Sequence, residues 1–356
     1  MAYNPHLSIM SKKHVAVALS GGVDSSVAAG LLQEAGYDII GLTMSLWSEE
    51  RLTCPSADSI SDAENVCRRL GIPFHLVDLE QEFRHHVVDY LCAEYSRGRT
   101  PNPCTACNRH IKFGLLMDHA VSLGADFLAT GHYAGVKYHN QSYHLLKGAD
   151  ADKDQSYMLY ALGQDKLSRV IFPLGNYTKP RVQERASQKN LPTAGKPSSQ
   201  DICFIASDYG TFLSRYVKPI PGDIVDSRGK VLGRHCGTAF YTVGQRHGMG
   251  LASPEPVYII RIDAANNRLI IGPKKDLYRS QLTATDVSWV SGKPPGKTIA
   301  ATVKIRYRAP DVAATIRMSS DSVEVDFSTP QPAVTPGQAV VFYNDDEVLG
   351  GGTIES

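Results

Sequence analysis

In the stretch TPNPCTACNRHIKFG, Thr100–Gly114, Cys104 and Cys107 lie three apart behind a stiff Pro-Asn-Pro corner. Cysteines so spaced serve as half of a zinc site, a disulfide, anchors of an iron–sulfur cluster, or a nucleophile with its helper. A second stretch with chemical content is ALSGGVDSS, Ala18–Ser26. There the backbone N–H groups of Ser20, Gly21, Gly22 and Val23 can converge on a phosphate. A following helix would add roughly half a positive charge at its N-terminus. Ser25 and Ser26 offer hydroxyl donors. Asp24 is out of place in a simple phosphate cradle, because its charge repels phosphate unless it holds a metal or a substrate hydroxyl. The glycines are adjacent and no GK[ST] follows, so this is neither a P-loop nor a dinucleotide fingerprint. Spacing alone leaves two readings, a phosphate loop or a tight strand–helix turn with serine caps.

The elements that must position these residues alternate. The apolar, β-branched run His14–Leu19 predicts a buried strand, and DSSVAAGLLQEAG predicts a helix that stops at Gly36. Strands are expected at Asp38–Met44, Pro73–Leu79 and Asp126–Gly131. Helices are expected at Ser61–Gly71, with Ser61 as cap, and over Gln81–Gly98 and Arg109–Gly124. Such alternation predicts an α/β, doubly wound parallel sheet over residues 1–208. Past Tyr209 the helical periodicity fades, which predicts a small central β-rich domain over 209–281. From Leu282 the strands KTIAATVKIRY, SVEVDF and GQAVVFYN predict a C-terminal β-barrel or sandwich over 282–356.

A chain of 356 residues fits two or three such domains. No run of 18 or more apolar residues occurs, so no membrane span is expected. MAYNPHLSIMSKKHVAV lacks the layout of a signal peptide, and seven cysteines without a dense framework fit a reducing cytoplasm. Cys54, Cys67, Cys92 and Cys236 read as core or incidental. Cys203, flanked by Ile202, Phe204 and Ile205, reads by itself as a buried thiol. The net charge of +1 conceals an uneven map, with eleven Lys/Arg against six Asp/Glu between Asp208 and Gln281. A basic surface for nucleic acid and an ordinary solvated face both fit that excess.

The SGGVDSS loop resembles that of the ATP-pyrophosphatase (PP-loop) superfamily, whose members cleave ATP to AMP and pyrophosphate. ATGHYA (Ala129–Ala134), KDQSYML (Lys153–Leu159), SQDICFI (Ser199–Ile205), YTVGQRHGMGL (Tyr241–Leu251) and VKIRYR (Val303–Arg308) follow in order with the Cys104–Cys107 stretch. Together they resemble the tRNA-specific 2-thiouridylase family over nearly the whole chain. The resemblance implies that ATP and Mg²⁺ are used to adenylate O2 of the wobble uridine, U34, before sulfur displaces AMP. It implies ATP contacts at Ala18, Leu19, Ser20, Gly21, Gly22, Val23, Asp24 and Ser25, with the adenosine against Met44 and Gly131. It implies tRNA contacts at His132, Lys153, Asp154, Gln155, Arg306, Tyr307 and Gln338. It implies a persulfide on Cys203, resolved by Cys107, and sulfur supplied by an upstream cysteine desulfurase or relay protein.

One departure matters. Many members of that family place an aspartate where this chain has Cys104. The change creates a trio, Cys104, Cys107 and Cys203, and three readings follow: zinc, which wants four protein ligands; a Cys104–Cys107 redox pair or a spare thiol beside the Cys107–Cys203 relay; or a [4Fe–4S] cluster with one iron open to sulfide. Two rival functions remain in view, a PP-loop enzyme that adds nitrogen and a non-catalytic RNA-binding iron–sulfur protein.

Overall fold

The computed structural model describes residues 13–48, 55–196, 202–205 and 208–356. Cys54, Ser199, Gln200 and Asp201 lie outside the described residues. Five parallel strands form the first sheet, in the order β3-β2-β1-β4-β7: β1 (His14–Ala18), β2 (Asp38–Ser45), β3 (Phe74–Asp78), β4 (Phe127–Thr130) and β7 (Val170–Ile171). Val15, Ala16 and Val17 are buried on both faces of β1, as a central parallel strand requires. Helix α1 (Val23–Glu34) packs on this sheet and ends where the glycine predicts. Gly36 takes φ +84, and the amide of Tyr37 closes back on the Leu32 carbonyl at 3.2 Å.

Helix α2 runs Pro55–Leu70, so Ser61 is an exposed residue inside it and not its cap. Proline is suited to a helix start, since its missing N–H is one the first turn leaves unpaired anyway. Next come α3 (Glu80–Phe83), a π-helical turn Arg84–Asp89 and α4 (Tyr90–Ser96), one continuous helical run. A second run carries α5 (Pro103–Ala106), π-helical Cys107–Leu116 and α6 (Met117–Ser122). Short α7 (Gln164–Leu167) and α8 (Lys179–Gln188) complete this part. Helix α9 (Tyr209–Tyr216) leads into a four-stranded sheet, β10-β11-β8-β9, built from β8 (Gly222–Val225), β9 (Val231–His235), β10 (Tyr258–Asp263) and β11 (Arg268–Gly272).

The last strands are β12 (Tyr278–Trp289), β13 (Thr298–Lys304), β14 (Val312–Met318), β15 (Val323–Pro332), β16 (Ala339–Asn344) and β17 (Glu347–Ile354). They pair in the order β12-β15-β14-β13-β16-β17, and β12 also pairs with β17, so the sheet closes into a barrel. A hairpin from far upstream, β5 (Ala134–His139) and β6 (Ser142–Lys147), extends this sheet through Leu145 against Val348. The same contact zone holds one buried cluster that includes Phe83, Cys107 and Phe204 together with Val341, Tyr343 and Val348 of the barrel. Barrel and parallel sheet thus share a core.

Candidate functional site

β1 sits where the strand order reverses, between β2 and β4, and ligands in open α/β sheets bind beyond the carboxyl ends at that point. Ser20–Ser26 occupies it. The turn is closed by its own hydroxyls. Ser20 donates its amide to Ser25 Oγ at 3.1 Å, while Ser25 Oγ and Ser26 Oγ donate to the Gly22 carbonyl at 3.2 and 2.8 Å. Ser25 and Ser26 are therefore buried parts of the turn, leaving backbone amides to face an anion. Gly21 has φ +70, and a Cβ there would stand 2.4 Å from the Ser59 carbonyl oxygen. Neither the conformation nor the space admits another residue.

Leu19 donates its amide to Leu42 O at 2.7 Å, and Thr43 Oγ1 donates to Leu19 O at 3.1 Å, which ties the loop to the end of β2 beside half-buried Met44. Gly131 closes the other side: a Cβ on it would lie 2.7 Å from the Ser25 nitrogen. Asp24 is explained by residues that sequence reasoning missed. Lys179, at the start of α8, reaches both its oxygens at 2.7 and 2.9 Å, and the Tyr133 hydroxyl donates to it at 2.7 Å. The lysine cancels the charge that would repel phosphate. Burial and the neighbouring Asp24 carboxylate push the Tyr133 hydroxyl well above its usual range, so it stays a donor. A basic residue opening a helix after a Pro/Gly-containing segment was the trace of Lys179 in the sequence.

The cysteines gather elsewhere. Asn102 caps the run, its Oδ1 accepting from the Cys104 amide at 3.0 Å, and Pro103 takes the first position. Cys107 is buried, whereas Cys203 is exposed, contrary to the burial its apolar neighbours suggest. Those neighbours do the anchoring: Phe204 packs edge-on against Phe83 and Phe212, at centroid distances of 5.4 and 5.7 Å. Burial pushes the Cys107 thiol up to about 12, and the nearby Cys203 and Cys104 charges add to that rise while Lys112 opposes it. Burial likewise raises Cys104, again opposed by Lys112. Three thiols separated by up to 99 positions in sequence thus sense one another. No disulfide joins the described cysteines. Cys67 is a core thiol, Cys92 is half-buried and Cys236 is exposed.

Half-buried Tyr307 packs against the cluster that holds Cys107, and its ring lies 6.2 Å from that of Tyr157. Arg306 is exposed and donates to Pro332 O at 3.2 Å, leaving most of its guanidinium facing outward. Other residues of the implied tRNA set are committed inside. His132 is buried against Phe113 and Phe172, with Nδ1 2.7 Å from Thr130 Oγ1, and burial holds it neutral. Asp154 accepts from the Gly148 and Ser156 amides, Gln155 Oε1 accepts from the Tyr133 amide, and Gln338 donates to Thr100 O. Lys153 is half-buried beside them.

A [4Fe–4S] cluster has its donor types in Cys104, Cys107 and Cys203, but not their arrangement. Among the described residues no three His, Cys, Asp or Glu side chains are grouped to hold a metal ion. A cavity of about 460 Å³ opens on the other face of the Cys104–Cys107 run, lined by Asn102, Thr105, Arg109 and His110. None of the three cysteines and no residue of the Ser20–Ser26 loop lines it. Among the described residues no helix is long and apolar enough to cross a membrane.

Comparison with known proteins matches this architecture part by part. Residues 13–207 match the family described as tRNA methyl transferase HUP domain, 210–273 its PRC-barrel domain, and 279–354 the aminomethyltransferase beta-barrel domain. The tRNA-specific 2-thiouridylase MnmA of Carboxydothermus hydrogenoformans is 47% identical over 98% of this chain and 99% of its own length. That of Geobacter metallireducens is 48% identical over 97% and 98%. Among solved structures, the U34-tRNA thiolase NcsA from Methanococcus maripaludis with its [4Fe-4S] cluster is 22% identical, with a TM-score of 0.37, over 58% of this chain and 64% of that one. So loose an overlap carries nothing about this chain's cofactor. With near-full-length identity approaching one half and all three parts matched in order, the chain belongs to the tRNA-specific 2-thiouridylase family.

Proposed function

We infer that this protein thiolates C2 of the wobble uridine, U34, of tRNA, cleaving ATP to AMP and pyrophosphate. Family membership over the whole chain carries that reading. The adjacency of Cys107 and Cys203 supports its chemistry, because both are held in one place by the core around Phe83 and Phe204. The C2 carbonyl is a poor electrophile, so its oxygen has to become a leaving group. The uridine O2 attacks the α-phosphorus of ATP and expels pyrophosphate, whose charge meets the Gly21–Val23 amides and the start of α1. Mg²⁺, when bound, would neutralise phosphate charge there; Asp24 is the nearby carboxylate, and it would have to exchange its bonds to Lys179 and Tyr133 to hold the ion. A persulfide on exposed Cys203 then attacks C2 and displaces AMP, and Cys107 resolves the product by forming a disulfide with Cys203. Exposure of Cys203 suits a thiol that an upstream desulfurase or relay protein must load, in a reducing cytoplasm that restores both thiols.

Cys104, in this reading, is a neighbouring thiol that burial keeps protonated and that stands near Tyr307. The relay needs no iron. The test is to supply ATP, tRNA and a persulfide donor to anaerobically purified protein and to measure 2-thiouridine, AMP and iron. Cys203→Ala should abolish thiolation while AMP still forms, and Cys104→Ala should stay active without bound iron. About four irons per chain, lost together with activity in Cys104→Ala, would replace the relay by a cluster.

A further inference from the structure

β13 ends at Lys304 and β14 begins at Val312, with Val303 opposite Val312, so Lys304–Asp311 spans the loop that joins the two strands. The Ala309 amide donates to Arg306 O at 3.0 Å and tightens that loop, while half-buried Tyr307 packs against the shared core. Arg306 and Arg308 are left exposed. The two ends of the loop meet, with Lys304 Nζ 3.6 Å from Asp311 Oδ1. A third group arrives from the β5–β6 hairpin: Lys147, the last residue of β6, donates to Asp311 Oδ2 at 2.5 Å.

Both ammoniums also lie over the ring of fully buried Tyr343, at 4.6 Å (Lys147) and 5.7 Å (Lys304) from its centre. Their side chains are only 17% and 15% exposed. Among the described residues no other carboxylate pairs with either. Asp154, which reaches the Tyr343 hydroxyl through Ser156, has its oxygens occupied by the Gly148 and Ser156 amides and the Ser156 hydroxyl. Other covered lysines hold an acid each, Lys179 with Asp24 and Lys189 with Glu34. Here two ammoniums share one acid, which leaves the site one negative charge short. Withdrawing an ammonium from water is costly unless an anion meets it.

We propose that Lys147 and Lys304 together hold one phosphodiester of the bound tRNA, with Arg306 and Arg308 on the loop between Lys304 and Asp311 extending the same basic strip. The proposal rests on tRNA being the substrate and is independent of how sulfur is delivered. A phosphodiester carries the single negative charge that the site lacks. Such a contact fixes where the RNA backbone lies without reading its sequence. Neither lysine belongs to the tRNA contacts that the family resemblance implies.

The test is equilibrium binding of tRNA to the full chain over a range of salt concentrations, beside binding of a non-hydrolysable ATP analogue and a thermal melt. Lys147→Gln and Lys304→Gln should each weaken tRNA binding about tenfold at low salt and flatten the dependence of log affinity on log salt by about one. The loss should be equal for a substrate tRNA and for one without a wobble uridine. Asp311→Asn should act in the opposite sense, tightening tRNA binding, because it removes the anion that competes with phosphate for the two ammoniums. Affinity for the ATP analogue should be unchanged in all three. If Asp311→Asn weakens tRNA binding as the lysine variants do, and all three melt low, the trio is a structural clamp and the proposal is overturned. Wild-type affinity and salt dependence in both lysine variants also overturns it, leaving the substrate reading intact. Loss of ATP affinity in place of tRNA affinity overturns it by assigning the charge to nucleotide phosphate. Failure of the wild-type protein to bind tRNA would overturn the substrate reading and this proposal with it.

Discussion

Gly131→Ala is the sharpest test of how the nucleotide loop is held. The Gly131 backbone is outside the left-handed region, so alanine is conformationally acceptable there and any effect is steric. The new Cβ would stand 2.7 Å from Ser25 N, 2.8 Å from Asp24 C and 3.0 Å from Ser25 Cα. Comfortable contacts between such atoms are about 3.5–4.0 Å, so the two backbones must part by roughly 0.7–1 Å. Neither side yields easily. One is the end of β4, paired to β1 through Thr130 and Ala18, and the other is the first turn of α1. Overpacking of this kind costs about 1–3 kcal/mol. Drawn from nucleotide binding, that weakens ATP affinity by about 5–150-fold. The assay is equilibrium binding of a non-hydrolysable ATP analogue, run beside a thermal melt. Gly195→Ala, where an added Cβ meets nothing within 4 Å, is the control and should change neither. If Gly131→Ala binds ATP within twofold of wild type and melts normally, the close approach of β4 to the loop is refuted.

Lys179→Ala removes the charge that offsets Asp24 and should raise KM for ATP about tenfold or more with little change in melting, as expected for a charge-assisted contact. An unchanged KM would mean that Asp24 does not meet phosphate. Tyr157 is fully buried and donates its hydroxyl to Ala339 O at 2.7 Å, bridging to the barrel. Tyr157→Phe should therefore cost about 1–2 kcal/mol in denaturant unfolding, and an unchanged midpoint would deny the bridge. The Arg99 guanidinium, bonded to both Glu355 oxygens at 2.5 and 3.0 Å, holds that carboxyl below the usual glutamate range. A depressed native value means the stabilisation is complete above the unfolded value of about 4.3 and fades as pH falls through the native one. The melting gap between wild type and Glu355→Gln should thus be small but steady near neutrality, because the pair is partly exposed. It should close on acidification below about pH 4, and a gap that persists there would contradict the pairing.

Where the sequence reading fell short, the reason is physical. The β5–β6 hairpin went unseen although its alternation and its Asn140-Gln141 turn, both residues at positive φ, are local signals. Its partner β17 lies some 200 residues away, and that pairing has no local trace. The π-helical register of Cys107–Leu116 is equally hidden, because apolar spacings of three and four fit α and π winding alike over so short a run. Ser61 looked like a cap because serine favours caps, yet nothing in its exposed helical setting excludes it from the interior.

By itself the sequence determined what short-range chemistry determines: the strand–turn–helix with paired glycines that exposes backbone amides, the alternation that makes a parallel sheet, and the order of the three parts. It also supplied the thiols by type. Only the tertiary structure decided that Asp24 is neutralised by Lys179, 155 positions away, and that Cys203 is exposed while Cys107 is buried. Backbone geometry and residue type act over a few neighbours and can be read along the chain. Charge compensation, desolvation and register depend on which distant surfaces exclude water from one another, and that is fixed only when the sheet, the helices and the barrel close on a common core.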